Sequence, residues 1–397
     1  MERIDWKEIE EDNSEDLYLP NDLARRNRII YLDNAATTKP SLLAFRAQVA
    51  YYNWFGNASS QYEIGLHNAH LIDDARVKIA HCIGALPDQI FFTSGGTESN
   101  NWALSNAFDM QWIISDIEHP SVTNAAIAHL DKKPWILPSD DKGYVDLECL
   151  EVLLDGEYEI CCISVMTANN ETGAIQPIKK ISEIARKYGC LFHTDATQAM
   201  GHMHIDVNEL GVDMLSASGH KFGAYPGVGF LYIRNPESLA IPFMAGGHQE
   251  NGLRGGTYNV AGIVGMADAL VESQINMSTS RCGELRDLLI RLLRDDKVDF
   301  SINTCLERSL PHILNISLQG VRSEEMVSYL DANEIYVSSG SACTSGDGKP
   351  SYVLLAMGKT EEEANSAIRV SMSYDTTEDD IRTFEKKLVE GIKLLRR

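Results

Sequence analysis

A chain of 397 residues is long enough to bury a large core and to divide into two domains. Its formal charge of −22, from 35 basic and 57 acidic residues, argues against a nucleic-acid surface, which needs a basic face, and no apolar run approaches the roughly 20 residues that cross a bilayer. Eight cysteines without any Cys-x-x-Cys spacing leave no disulfide framework and no zinc site, so no metal is expected and a reducing cytoplasm is.

The first 16 residues carry acids at 2, 5, 8, 10, 11, 12, 15 and 16, the opposite of a basic signal-peptide start. Ile4, Trp6 and Ile9 form at most a short amphipathic face within this acidic extension. From residue 90 onward, strand-like and helix-like stretches alternate. Strands are predicted at 90–93, 112–115, 160–166, 191–194 and 214–218, with a helical pattern over 98–108 after the first. Residues 227–233 read as an edge or antiparallel strand, and a long helical stretch leads away from about Asn259. Strands at 313–318 and 335–338 belong to a smaller domain. The pattern predicts an α/β fold, with a mainly parallel central sheet covered by helices in a large domain, plus a smaller α+β domain. The expected division is an acidic extension at 1–30, packed on the small domain or mobile, a large domain at 31–258 and a small domain at 259–397.

Two residues point to chemistry. Lys221 closes a small-residue turn (216–221, Ser-Ala-Ser-Gly-His-Lys), and Asp195 ends an apolar stretch (189–195). Both stand at the ends of buried strands, where α/β ligand sites collect. A lysine that holds pyridoxal phosphate needs an acid on the pyridine nitrogen, so that the ring can accept electrons from a carbanion. Taken alone, the hexapeptide favours a surface lysine after a Ser/Gly loop.

From about residue 31 to 377 the chain resembles the fold-type I pyridoxal phosphate enzymes of aminotransferase class V, and among them the cysteine desulfurases. The resemblance rests on six blocks in order: 31–38 (Tyr-Leu-Asp-Asn-Ala-Ala-Thr-Thr), 93–100 (Thr-Ser-Gly-Gly-Thr-Glu-Ser-Asn), 169–173 (Asn-Asn-Glu-Thr-Gly), 195–198 (Asp-Ala-Thr-Gln), 218–221 (Ser-Gly-His-Lys) and 338–345 (Ser-Ser-Gly-Ser-Ala-Cys-Thr-Ser). Each block alone is a weak signal; six in sequence are not.

The resemblance assigns roles. The turn 94–97 between a strand and a helix offers free backbone N–H groups and a positive helix end to an anion, although a Gly-Gly turn needs no ligand. In the family, the equivalents of Gly96, Thr97, Ser218 and His220 hold the cofactor phosphate, and Gly96 stands where alanine is usual. His119 is placed on the pyridine face, where an imidazole can shuttle protons; otherwise it is a helix-start histidine. Asn170 and Gln198 are assigned to the ring's phenolic oxygen, Asp195 to its nitrogen, and Thr257 to the phosphate of a neighbouring subunit in a homodimer. Asn34 and Arg369 correspond to a clamp for the substrate carboxylate, which a planar guanidinium binds bidentately. A lone arginine between apolar residues is otherwise a structural ion-pair partner.

Cys343 lies in a polar, glycine-rich stretch (341–350), too polar for a core strand. An exposed, mobile thiol there suits a nucleophile, though it also describes a harmless surface cysteine. The stretch resembles the long-loop group of cysteine desulfurases. That resemblance implies conversion of L-cysteine to L-alanine, with a persulfide on Cys343 passed to a sulfur-acceptor protein such as an iron-sulfur scaffold or sulfur carrier. Lys221, Cys343 and His119 are the expected catalytic residues, with no membrane or nucleic-acid partner. A selenocysteine lyase or another class V aminotransferase is the competing reading, and a non-catalytic binding protein on the same scaffold is a third. Residues 222–227, 56–60, Tyr62 and 254–257 depart from the family pattern in loops, and the residues of the core chemistry match it.

Overall fold

The computed structural model describes residues 29–107, 109–156, 161–238, 242–340 and 349–396. The acidic extension through residue 28 and the expected nucleophile Cys343 lie outside the described residues.

Strand β1 (Ile30–Tyr31) opens the described chain. A seven-stranded sheet follows, made of β2 (Ile90–Thr93), β3 (Gln111–Ser115), β4 (Trp135–Leu137), β5 (Cys161–Ser164), β6 (Leu191–Asp195), β7 (Met214–Ser218) and β8 (Gly229–Ile233). Their order across the sheet is β2-β8-β7-β6-β5-β3-β4. Neighbours from β7 through β4 pair in parallel, whereas β8 runs antiparallel to both β7 and β2. Strands β2, β3, β7 and β8 are buried along their whole length, the mark of a sheet covered on both faces. The stretch 227–233 is therefore antiparallel but flanked on both sides rather than at an edge. Because β8 alone is reversed, β2, β3, β5, β6 and β7 all bring their C-terminal ends to one edge of the sheet. Ligand sites of α/β proteins form at that edge.

The rest of the chain builds a second, smaller unit. Strands β9 (Phe300–Ile302), β10 (Ile313–Leu318) and β12 (Ala367–Ser371) form an antiparallel sheet in the order β12-β10-β9, while β11 (Ile335–Tyr336) pairs in parallel with β1. Their core joins Ile30 and Leu32 to Leu285, Leu289, Ile316, Ile368 and Phe384. The long helix Val260–Thr279, capped by the Asn259 side chain on the Gly262 N–H, packs instead into the larger core through Ile263, Met266 and Leu270. We therefore propose that the division expected at 258/259 runs after this helix, with residues 30–32 counted with the smaller unit.

Candidate active site

Five strand ends converge on one cavity of about 200 Å³. Its walls include Gly96, Thr97, His119, Asn170, Asp195, Gln198, Ser218, His220, Lys221 and Arg369, ten of the residues singled out from the sequence. Asn34 and Thr257 are not among the wall residues.

The turn after β2 enters the helix Gly96–Ser105 directly, so the first N–H groups of that helix point outward without intrahelical partners. Gly95 has φ 150°, and a Cβ on Gly96 would stand 2.8 Å from the Thr197 hydroxyl. The backbone here passes closer to its neighbour than a side chain allows, which leaves an open concavity ringed by hydroxyls. One turn further along the helix, Asn100 donates to Asp195 Oδ2 at 2.8 Å. The Thr197 N–H donates to Asp195 Oδ1 at 2.9 Å. Both carboxylate oxygens are thus fixed at the end of β6. Neighbouring His193, buried between Ser164 and Ser216, is pushed down to about 4 by burial and stays neutral.

Lys221 ends a short turn after β7 and donates through Nζ to the Ala35 and Ala36 carbonyls at 2.7 and 2.8 Å. Gln198 donates to the same Ala35 carbonyl at 2.9 Å. His220 meets the Thr37 hydroxyl, and burial together with the Lys221 cation pushes its imidazole down to about 4. His119 caps the helix Pro120–His129: its Nδ1 accepts from the Ser121 N–H at 3.1 Å, so in the neutral ring Nε2 carries the proton. Beside it, burial raises the Glu118 carboxyl to about 8, against hydrogen bonds from Ser115 and the Met166 N–H.

Arg369, 1% exposed, donates to Asp33 Oδ1 at 2.7 Å and to the Asn170 carbonyl at 2.8 Å. The Asn34 amide is spent on the Tyr31 and Ser371 carbonyls. Thr257 is exposed. Four residues that sequence reasoning did not single out complete the arrangement: Asp33 behind Arg369, Asn100 and Thr197 on Asp195, and Ser121, which joins Asn100 to His119. Asp33, Asn100 and Thr197 sit inside the motif blocks already noted. Asn100 could have been found, since a position four residues after Gly96 shares its helix face.

The class-V aminotransferase family matches residues 30–384. The cysteine desulfurase IscS of Dictyoglomus turgidum is 41% identical over 365 residues, 89% of this chain and 92% of that protein. The chain belongs to the cysteine desulfurases of the class-V aminotransferase family. A solved NifS-like protein superposes with a TM-score of 0.85 at 34% identity, covering 93% of this chain and 100% of that one. SspA, solved in complex with cysteine, superposes with a TM-score of 0.75 at 30% identity, covering 86% of this chain and 98% of that one. The central sheet, its partly reversed edge and the cavity at the strand ends are thus the architecture of a fold-type I desulfurase. Among the described residues no helix is long and apolar enough to cross a membrane, and no cluster of three metal-ligating side chains occurs.

The cavity also fits the cofactor of that family. Thr197 Oγ1, Asn170 Oδ1, Asn100 Oδ1 and Arg369 Nε are buried without a hydrogen-bond partner among the described residues. Such orphaned groups are costly unless a ligand meets them. All four residues line the cavity that also holds Asp195 and the start of the helix Gly96–Ser105, where a pyridine ring and a phosphate would need partners.

Proposed function

We propose that the chain converts L-cysteine to L-alanine and takes the released sulfur as a persulfide on Cys343. The observation that carries this reading is the Lys221 amine and the doubly held Asp195 carboxylate at the ends of neighbouring parallel strands of one cavity. Pyridoxal 5'-phosphate bound there would act as an electron sink, making the substrate's Cα proton removable and its Cβ–S bond breakable. The residues of the chain do the rest. The N–H groups at the start of the helix Gly96–Ser105, with Thr97, Ser218 and His220, hold the phosphate. Asp195, kept in place by Asn100 and Thr197, presents a carboxylate to the pyridine nitrogen. His119 covers the ring, and Asn170 and Gln198 meet its phenolic oxygen.

Lys221 stands on two carbonyls that keep its amine oriented toward the cavity, from where it moves the Cα proton. The Arg369 guanidinium, anchored by Asp33, retains Nε for the substrate carboxylate. Cys343 as thiolate attacks the substrate sulfur. The Cβ–S bond breaks, an S–S bond forms, and the three-carbon product leaves as alanine after protonation, so atoms and electrons balance without an outside oxidant. The persulfide then passes to an acceptor protein that serves iron-sulfur cluster or thio-cofactor synthesis.

Two further parts of the reading concern assembly and place. The helix Leu42–Asn53 and the turn after it expose Leu42, Phe45, Val49, Tyr52, Trp54 and Phe55, a large apolar face on the outside of the large unit. This face supports a two-fold homodimer, with exposed Thr257 reaching the neighbouring subunit's cofactor phosphate. Among the described residues no two cysteines are joined as a disulfide, which is compatible with a reducing, cytoplasmic setting.

Incubation with L-cysteine and a thiol reductant, with sulfide and alanine assayed together, tests the activity. Both products should appear in equal amounts, and Cys343→Ala should keep the cofactor's visible absorption while sulfide falls to background. Near-wild-type sulfide from Cys343→Ala would show that sulfur leaves without a protein thiol, as in a lyase.

A further inference from the structure

A second cavity, of about 300 Å³, opens behind the Lys221 turn and shares no wall residue with the first. Its walls come from the turns 38–39, 201–202 and 222–223, the end of the helix Val260–Thr279, the start of the helix Cys282–Asp295, and the segments 311–312 and 372–375. Phe222, Met277, Pro311 and Met372 make much of it apolar, with Ser273 and His312 buried among them. His312 is 3% exposed, and its Nε2 has no hydrogen-bond partner among the described residues. A concave, mostly apolar space with a few placed polar groups is the form that small-molecule sites take. An orphaned buried nitrogen in its wall is costly unless something meets it.

Exposed charges of both signs complete the wall. Neither Lys39 nor Asp375 forms an ion pair through its side chain with a described residue. Glu284, the third charged wall residue, is engaged by Arg281 at 2.8 Å. One cation and one anion over an apolar interior match a zwitterion that carries an apolar side chain. A carboxylate alone would meet Asp375 as a like charge, and an ammonium alone would meet Lys39 in the same way.

The same wall backs the turn that carries Lys221. His202 Nε2 donates to the Lys221 carbonyl at 2.9 Å, and its ring stacks on His312 with 3.9 Å between centroids. The Thr38 hydroxyl donates to the His220 carbonyl at 2.9 Å and accepts from the Gly223 N–H at 2.8 Å. An occupant touching Thr38, His202 and Phe222 therefore bears on the backbone of the lysine without entering the first cavity.

We propose that the second cavity binds an apolar α-amino acid, its ammonium at Asp375 and its carboxylate at Lys39, and that the occupant stiffens the Lys221 turn.

The test uses the holoenzyme after borohydride has joined the cofactor to Lys221, so that an amino acid cannot react in the first cavity. L-leucine is the probe. Its analogues 4-methylpentanoate and 3-methylbutylamine lack the ammonium and the carboxylate respectively. Calorimetry should find leucine bound and each analogue roughly tenfold weaker or more, the order expected when a charged hydrogen-bonding group is lost. Lys39→Ala and Asp375→Ala should each weaken leucine by a similar factor. Asn276→Trp, which fills the cavity from the helix Val260–Thr279, should abolish binding. Hydrogen exchange of the amides at 219–224, read by mass spectrometry, should slow severalfold when leucine is bound, and should not respond to leucine in Asp375→Ala at the same concentration.

The proposal is overturned if leucine does not bind the borohydride-treated protein, or if either single-charge analogue binds as well as leucine. It is overturned equally if leucine binds undiminished to Lys39→Ala and Asp375→Ala, which would place it elsewhere, or if bound leucine leaves exchange at 219–224 unchanged. The two exposed substitutions decide the matter even where Asn276→Trp fails to fold. No step of the test reads sulfide, so its outcome is separate from that of the desulfurase reading.

Discussion

At the scale of single residues, Asp195 is the group whose surroundings are most completely specified. Each of its oxygens has one donor, and the Asn100 donor is a side chain that mutation can remove. Asn100→Ala should leave the fold intact and weaken cofactor binding about tenfold, the order expected for one hydrogen bond to a charged group. Asn100→Asp should be worse still, since it sets a second carboxyl against Asp195. Cofactor titration followed by absorption measures both, and equal affinity in the two variants would count against the arrangement. Glu118 allows a test of pH. Its folded pKa is raised from 4.5 to about 8, so the folded state holds the proton more tightly than the unfolded chain does. Its contribution is fully present below pH 4.5 and declines as pH rises toward about 8. Glu118→Gln keeps an acceptor for Ser115 and the Met166 N–H but cannot ionise. The Tm of the variant relative to wild type should therefore rise between pH 5 and pH 8, by roughly a few degrees. A difference that is flat across that window would mean that Glu118 is not the titrating group.

Among the elements, the helices Leu42–Asn53 and Val260–Thr279 approach each other backbone to backbone. A Cβ on Gly265 would stand 3.2 Å from the Ala44 Cα and 3.3 Å from its carbonyl oxygen, both of them backbone atoms that cannot rotate away. Gly265→Leu should force the helices apart at a cost of about 1–3 kcal/mol, read as a lower Tm in a thermal melt. A melt identical to wild type would place a gap where the structure has contact. Strands β2, β3, β5, β6 and β7 were legible because each is a short apolar run ending in a polar residue, and Asp195 and Lys221 were legible from those ends, whereas the three-residue β4 was not. Less visible was what long-range pairing decides. The stretch 335–338 shortens to Ile335–Tyr336 because its partner is the two-residue β1, some 300 positions earlier. Strand β8 lies inside the sheet because β2 pairs across it. Asn34, expected near a substrate carboxylate, has its amide held by the carbonyls of Tyr31 and Ser371, and no local pattern announces a partner so distant in sequence. Asp33 escaped notice for the same reason, since its link to Arg369 spans almost the whole chain.

For the whole molecule, the exposed face of Leu42, Phe45, Tyr52 and Phe55 predicts the state of assembly. Phe45→Glu should convert a dimer to a monomer in sedimentation and weaken cofactor retention, because the neighbouring subunit would no longer supply Thr257. A wild-type protein that sediments as a monomer with full cofactor occupancy would contradict this. A different consequence follows from how the two ends of the chain meet. The Asn34 N–H donates to the Ser371 carbonyl and the Ala35 N–H to the Ser371 hydroxyl, so the carbonyls that orient Lys221 hang on the last strand of the smaller sheet. A ribosome makes residue 35 early and residue 371 almost last. The large sheet can form during synthesis, domain by domain, but the lysine has no settled seat until the chain is nearly complete. A nascent chain stalled before residue 367 should therefore hold a folded sheet and a reactive amine that is not yet directed. Truncation before β12, followed by limited proteolysis and cofactor reduction, should find the sheet protected and Lys221 unlabelled.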